Sequence, residues 1–278
     1  MKRKISLIAY DLDGTLFDDN KGVPEENRRV LTKAAERGIY IVPASGRLRV
    51  AMPEQVMDIK GTRYILTENG AQVIDTQTDA VLYSASIPYQ TALSVFSYLD
   101  TLPVIYDCFQ DGWGYMAEEN YAKIDEFVDN PGIRDMIKWT RKQVKDLQET
   151  ILERKRPVQK MQLFFRTGSM DKSLFMQELA KRFPDLMVTA ALSNNIEFNN
   201  RNANKAAGLK ALCEVLEIPM EEVMAFGDGL NDITMLEEAG LGIAMGNALP
   251  EVKAVSDYVT IDNNDGGVAA AIRRFCLS

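Results

Sequence analysis

The sequence predicts an α/β fold: a Rossmann-like, doubly wound parallel sheet with a smaller α+β domain inserted into it. Three observations carry this. Short apolar runs alternate with helical segments at both ends of the chain, and such βαβ alternation implies parallel strands joined by right-handed crossovers. Two of those runs, at 5–11 and 223–226, release acidic residues into glycine-bearing turns. The middle of the chain has a different texture, with hairpins and helices and no paired acids.

Taken in order, the run at 5–11 is short, apolar and bounded by Gly14, which reads as a buried strand. Pro24 at a first helical turn and Gly38 as a stop frame a helix over 24–37. A strand at 39–44, a helical segment near 48–57 and a strand at 64–68 complete the first part. In the middle, 91–99 reads as a helix, and 104–109 with 113–116 as a hairpin across Gln110-Asp111-Gly112. A charged helical stretch over 138–154, a half-buried strand at 158–165, a helix at 172–183 and a second hairpin of 187–192 with 195–199 follow. The last part predicts a helix at 205–216, strands at 223–226, 241–245 and 258–261, a short helix at 232–239 and a final helix from 266 to 275. Residues 1–84 and 200–278 are therefore read as the core, and 85–199 as the inserted domain.

Composition narrows the function. With 278 residues the chain is long enough for two domains, and its net charge of −8 speaks against nucleic acid, whose phosphates call for a basic face, and against an anionic membrane surface. Cys108, Cys213 and Cys276 form no Cys-x-x-Cys pair and read as packing residues in a reducing compartment. The first apolar run is too short for a signal peptide, and no stretch approaches the roughly 20 residues of a membrane span. The expectation is a cytoplasmic protein, a monomer or weak homo-oligomer. The sequence contains no histidine, which excludes Ser-His-Asp and Cys-His catalysis and histidine-ligated zinc, and leaves acid–base work to carboxylates, lysine, tyrosine or cysteine.

Asp11 and Asp13 leave the carboxyl end of the first strand together, the edge where ligands bind in open α/β sheets. The fixed letters of Asp-x-Asp-Gly-Thr arise by chance at roughly one position in 10⁵. The plainer alternative makes Asp11 a cap and Asp13-Gly14 an ordinary turn pair. At the end of the second strand, Ser45-Gly46-Arg47 brings a hydroxyl and a flexible amide to a helix start, a good anion site, although Ser45 also reads as a plain cap. Asp228 and Asp232 follow the run at 223–226 and should reach the same edge as Asp11 and Asp13. Carboxylates so gathered repel by about 4 kcal/mol per pair at 4 Å, so a hard divalent cation is implied, and Mg²⁺ fits best. Asp232 also suits a helix amino terminus. Lys205 opens a helix, where a positive charge opposes the macrodipole, and a lysine in so disfavoured a place is a candidate for a role in the site, with a solvated surface lysine as the bland alternative and Lys210 as a rival.

In that order, Asp11-Leu12-Asp13-Gly14-Thr15, Ser45-Gly46-Arg47, Lys205 and Gly227-Asp228-Gly229-Leu230-Asn231-Asp232 resemble the four motifs of the haloacid dehalogenase (HAD) superfamily. Asn69-Gly70-Ala71, the run from Gly242 to Ala248, Asp265-Gly266-Gly267-Val268 and the large insert resemble its Cof-like phosphatases. The resemblance implies an HAD-like core with an α+β cap, and a Mg²⁺-dependent phosphatase that hydrolyses small phosphorylated metabolites such as sugar phosphates through an aspartyl-phosphate. It implies that Asp11 is the nucleophile and Asp13 the general acid and then base, its proton affinity raised by its carboxylate neighbours while Asp11 stays ionised. It places Asp11 and Asp228 on the metal by carboxylate, Asp13 by its main-chain carbonyl, and Asp232 as the group that orients the metal shell. Phosphoryl oxygens fall to Lys205, Ser45, Asn231 and the amides near Leu12 and Gly46. A sugar phosphomutase is the alternative enzyme, and a non-catalytic phosphometabolite-binding protein the alternative of another class. In the cap, Tyr106, Trp113, Tyr115 and Tyr121 could line a pocket, but aromatic residues at strand spacing are more often core.

Overall fold

The sheet that carries the acids begins with β1 (Leu7–Tyr10), four fully buried residues. In the computed structural model, which describes residues 4–190 and 192–277, α1 (Glu25–Glu36), β2 (Tyr40–Pro43), α2 (Glu54–Met57), β3 (Tyr64–Thr67), β4 (Gln72–Asp75) and β5 (Ala80–Ser84) follow. Next come α3 (Tyr89–Leu99), β6 (Val104–Gln110), β7 (Trp113–Ala117), α4 (Glu118–Ala122), α5 (Ile124–Phe127), α6 (Pro131–Thr140), β8 (Arg141–Val144), α7 (Leu147–Arg154) and β9 (Lys160–Phe165). Then α8 (Lys172–Arg182), β10 (Leu186–Thr189), β11 (Asn195–Asn200), α9 (Lys205–Leu216), β12 (Val223–Gly227) and α10 (Ile233–Glu238) lead into β13 (Leu241–Ala244), α11 (Pro250–Val255), β14 (Tyr258–Val259) and α12 (Gly267–Ile272).

The chain divides into two units: Met1–Arg47, Met52–Ser84 and Ala203–Ser278 form one, and Leu48–Ala51 with Ala85–Asn202 the other. The first is built on a parallel sheet in the order β14-β13-β12-β1-β2. From β1 the chain winds outward to β2 on one side, and from β12 outward to β13 and β14 on the other, so the gap between β1 and β12 is a topological switch point. Because Tyr10 pairs with Phe226, Asp11 and Asp228 emerge side by side. The predicted α/β core is thus observed.

One strand behaves differently from expectation. β3 touches β2 only through isolated parallel bridges, Ile41 to Thr62 and Ala44 to Leu66, and otherwise opens an antiparallel sheet β3-β4-β5. The reason lies in Glu68, Asn69 and Gly70, whose positive φ values of 52°, 59° and 85° fold the chain straight back. On β4, Asp75 bonds Arg63 at 2.7 Å, and those hydrogen bonds draw its carboxyl down to about 2. A group depressed in the folded state contributes stability above its unfolded value near 4 and loses it as the pH falls through about 2. Thermal melts of Arg63→Met should therefore show a shallower loss of Tm than wild type across that acid window.

The second unit holds a six-stranded sheet, β10-β11-β9-β6-β7-β8, antiparallel except for the β7–β8 pair. One face packs Tyr106, Cys108, Met161, Leu163, Ile196 and Phe198 against α3, α7 and α8. On the other face Ile105, Met116 and Phe164 meet α5 and α6. The charged stretch expected as one helix over 138–154 is two helices with a strand between them. α6 ends at Thr140, β8 pairs with β7, and the Asp146 side chain accepts from the Glu149 amide at 2.9 Å to start α7. The aromatic residues follow the core reading: Tyr106, Trp113 and Tyr115 belong to the helix-covered cluster and Tyr121 to the smaller one. The hairpin expected over 187–192 and 195–199 is observed as β10 and β11, with Ala191 outside the described residues. Among the described residues no helix is long and apolar enough to cross a membrane.

Candidate active site

The Asp11 amide donates to the Phe226 carbonyl at 3.1 Å, extending the β1–β12 pairing by one residue and delivering its side chain into the switch point. The turn that follows depends on Gly14. Its φ is +78°, and a Cβ there would lie 2.3 Å from Asp228 Oδ2, so both conformation and space demand glycine. Thr15, next in line, donates its hydroxyl to Asp228 Oδ1 at 2.7 Å. Gly14→Ala must push Asp228 aside, and we expect a loss of about 1–3 kcal/mol in urea denaturation. The same variant should lose more activity than stability alone explains, because Asp228 is displaced.

Lys205 is the cation of the site. It opens α9, yet its side chain is fully buried, with Nζ 2.5 Å from Asp11 Oδ1 and 2.6 Å from Asp232 Oδ1. The unfavourable place at the helix amino terminus is offset by two carboxylates at contact distance. Its rival Lys210 points to solvent. Burial alone disfavours the Lys205 ammonium, but Asp11 and Asp232 outweigh it and hold the proton more tightly than usual. Burial also pushes the Asp11 carboxyl up to about 7, against the pull of Lys205 and with further push from Asp232. Asp228 is raised as well, chiefly by burial, with the Thr15 hydrogen bond working against it.

Asp11, Asp228 and Asp232 each present an oxygen, all within 4.8 Å of one another. An all-oxygen set of three carboxylates, two of them holding protons more tightly than usual through burial, is the donor chemistry of a hard divalent cation. Asp232 is already committed: Oδ2 accepts from the amides of Asp228 and Gly229, both at 3.0 Å, and Oδ1 takes Lys205. It is a positioning group more than an open ligand.

Asp13 departs from expectation. Its carboxylate lies outside that cluster, held by Arg47 through Nε at 3.1 Å and Nη2 at 2.9 Å, and by Lys21 Nζ at 3.0 Å. Burial works to raise it, but Arg47 and Lys21 win and hold it below the usual carboxylate range. The anticipated order is reversed: Asp11 is raised and Asp13 lowered, because two cations, and not the neighbouring acids, face Asp13. Among the other predicted residues, Ser45 is buried just past the end of β2, its hydroxyl accepting from the Arg47 amide at 3.3 Å, with Gly46 half-buried beside it. Leu12 is buried behind Asp11. Asn231 is exposed and its side-chain amide donates to Asn69 Oδ1 at 3.1 Å. Sequence reasoning assigned no role to Thr15, Lys21, Arg47 or Asn69. The signals were present for two of them: a hydroxyl directly after the Gly14 turn, and an Asn-Gly pair at a strand end, which marks a left-handed turn.

The family profile of haloacid dehalogenase-like hydrolases matches residues 8–272. The chain is 31% identical over 277 residues to the 5-amino-6-(5-phospho-D-ribitylamino)uracil phosphatase YcsE of Bacillus subtilis, covering 98% of this chain and 96% of that protein. It is 30% identical to phosphatase YwpJ of the same organism, covering 95% and 98% respectively. A haloacid dehalogenase-like hydrolase from Bacteroides thetaiotaomicron superposes with a TM-score of 0.81 at 28% identity, over 98% of this chain and 99% of that one. A match that spans both ends of the core and every acid at the switch point leaves one assignment: the chain belongs to the haloacid dehalogenase-like hydrolases.

Proposed function

We propose that this protein hydrolyses small phosphorylated metabolites, phosphomonoesters such as sugar phosphates, with Asp11 as phosphoryl acceptor and Mg²⁺ as cofactor. The observation that carries this is the buried Asp11–Lys205–Asp232 arrangement at the sheet's switch point, a nucleophile whose flanking ammonium is ready to meet phosphoryl oxygens. The names of the two phosphatase relatives support it. Three unpaired cysteines suit a reducing cytoplasm.

An Asp11 oxygen forms a bond to phosphorus as the ester P–O bond breaks, and the departing alkoxide takes a proton from Asp13. Asp13 then removes a proton from water, whose oxygen bonds to phosphorus while the acyl-phosphate bond breaks, returning the Asp11 carboxylate and releasing inorganic phosphate. Asp13 is held ionised by Arg47 and Lys21, so it needs a reason to bind a proton. An arriving phosphoryl dianion supplies one, since it brings negative charge beside Asp13 and competes for the same two cations. Lys205, Ser45, Asn231 and the amides of Leu12 and Gly46 hold the phosphoryl oxygens. The carboxylates of Asp11 and Asp228 and the main-chain carbonyl of Asp13 would hold Mg²⁺, with Asp232 orienting its shell, and the bound ion would supply positive charge against the phosphoryl group. The second unit selects the alcohol.

Release of inorganic phosphate from a panel of phosphomonoesters tests the reading. We expect release that requires Mg²⁺ and stops with a chelator. Isomerised sugar phosphate without free phosphate would instead identify a mutase, and binding without turnover a non-catalytic protein. Asp13→Asn should lower kcat by about 10²–10⁴-fold with an unchanged Tm. Full activity in that variant would remove Asp13 from the proton transfer.

A further inference from the structure

Asn69-Gly70-Ala71 is a motif of the sequence to which the proposed reaction gives no task. In the first unit it lies in the turn from β3 to β4, where Glu68, Asn69 and Gly70 follow one another at φ values of 52°, 59° and 85°. Left-handed backbone is costly for a residue with a Cβ and persists only where the surroundings over-determine it, as they do at functional sites. Here they hold the turn from several sides. The Glu68 amide donates to the Arg47 carbonyl and the Asn69 amide to the Ser45 carbonyl, both at 3.0 Å. A Cβ on Gly46 would lie 2.9 Å from Asn69 Oδ1, and one on Gly70 would run into the Asn204 carbonyl next to Lys205. The Asn231 side-chain amide donates to Asn69 Oδ1 at 3.1 Å. The turn therefore touches the Ser45 loop, the start of α9 and the loop after β12, each of which carries a proposed phosphoryl contact.

The contact with Asn231 has a chemical consequence for an anion. Asn231 is exposed, so packing does little to fix which way its amide faces. A primary amide turned one way offers N–H donors to a phosphoryl oxygen, and turned the other way offers a carbonyl oxygen that repels it. Asn69 Oδ1 only accepts, so it selects the orientation with the Asn231 nitrogen toward it. One N–H is taken by that bond, and the second stays on the same nitrogen for the anion. The left-handed backbone of Asn69 lets a single residue hold Ser45 with its main chain and Asn231 with its side chain. Asparagine suits the place because it tolerates this backbone and brings a neutral acceptor, whereas aspartate would set a negative charge beside the anion.

We infer that Asn69 is a positioning residue of the phosphate site: its side-chain oxygen orients the Asn231 amide so that an N–H is left for a phosphoryl oxygen, while its main-chain amide holds the Ser45 loop in place. Its side chain acts through Asn231 and does not itself bind the substrate. The inference rests on the phosphatase reading for the identity of the anion, and inorganic phosphate tests the site apart from turnover.

A double-mutant cycle tests this. Asn69→Gly keeps the turn, since glycine takes a φ of 59° freely, and removes the acceptor, so its Tm should stay near that of wild type. During turnover of p-nitrophenyl phosphate with Mg²⁺, its inhibition constant for inorganic phosphate should rise by about tenfold. Asn231→Ala should do the same, and the double variant should stay within about threefold of Asn231→Ala, because the acceptor then has nothing to orient. Effects that multiply to about a hundredfold would make Asn69 a phosphate contact in its own right and overturn the inference. Asn69→Ala also lacks the acceptor but strains the turn, so its Tm should fall while its inhibition constant matches that of Asn69→Gly. An Asn69→Gly variant with the wild-type constant would leave Asn69 only a role in shaping the turn, which also overturns the inference. If the wild type releases phosphate from no ester, the phosphatase reading fails, and titration calorimetry with inorganic phosphate and Mg²⁺ runs the same cycle on binding alone. A wild type that binds no inorganic phosphate there overturns the positioning role as well.

Discussion

Asp11→Asn should abolish phosphate release, lowering kcat by at least about 10⁴-fold, while the protein remains folded. The amide has the same shape and its oxygen can still accept from Lys205, which also keeps Asp232 at 2.6 Å. It lacks only the anionic oxygen that forms the bond to phosphorus. Burial already pushes the Asp11 carboxyl up to about 7, so replacing it with a neutral group removes a charge that the fold holds at a cost. The Tm should therefore stay close to that of wild type. A variant that folds and keeps substantial activity would take Asp11 out of the nucleophile's role.

Lys205→Met should be the most destabilising single change in the site. Without the ammonium, Asp11 and Asp232 face one another across a buried space. Removing one partner of a buried ion pair costs about 3–5 kcal/mol, because the charge left behind is uncompensated. Urea denaturation without divalent ions should show that loss. Added Mg²⁺ should recover part of it, since binding to the folded state alone raises stability by mass action. Activity should fall by about 10²–10³-fold even with Mg²⁺ present, as one contact to the phosphoryl oxygens is gone. A variant as stable as wild type in the absence of metal would contradict the placement of Lys205 as the site's internal counter-charge.

The skeleton of this site was readable because parallel strands are apolar throughout and end in turns. Asp11, Ser45 and Asp228 follow the ends of β1, β2 and β12, and each stands out as the first polar residue after a buried run. Lys205 was legible as a charge in the wrong place on a helix. What surrounds them was not, since partners separated by long stretches of chain leave no local pattern: Arg47 meets Asp13 from 34 residues away, and Thr15 meets Asp228 from 213 away. That is why the protonation order of the two acids came out reversed. The six-stranded sheet shows a further limit. Alternation in 158–165 reads as a strand with one wet face, yet Lys160 and Gln162 are buried, because their charges and amides are met across neighbouring strands. β8 hides in a charged stretch for a related reason, its Arg141 being buried against Asp107.

In the proposed mechanism, phosphate passes through a covalent bond to Asp11. Rapid acid quench during turnover of a phosphomonoester, followed by peptide mass spectrometry, tests it most directly. A phosphoryl group is expected on the Asp11 peptide, absent in Asp11→Asn and longer-lived in Asp13→Asn, where the base for water is lost. Steady turnover with no phosphoryl group on that peptide, or with the group on another residue, would contradict it.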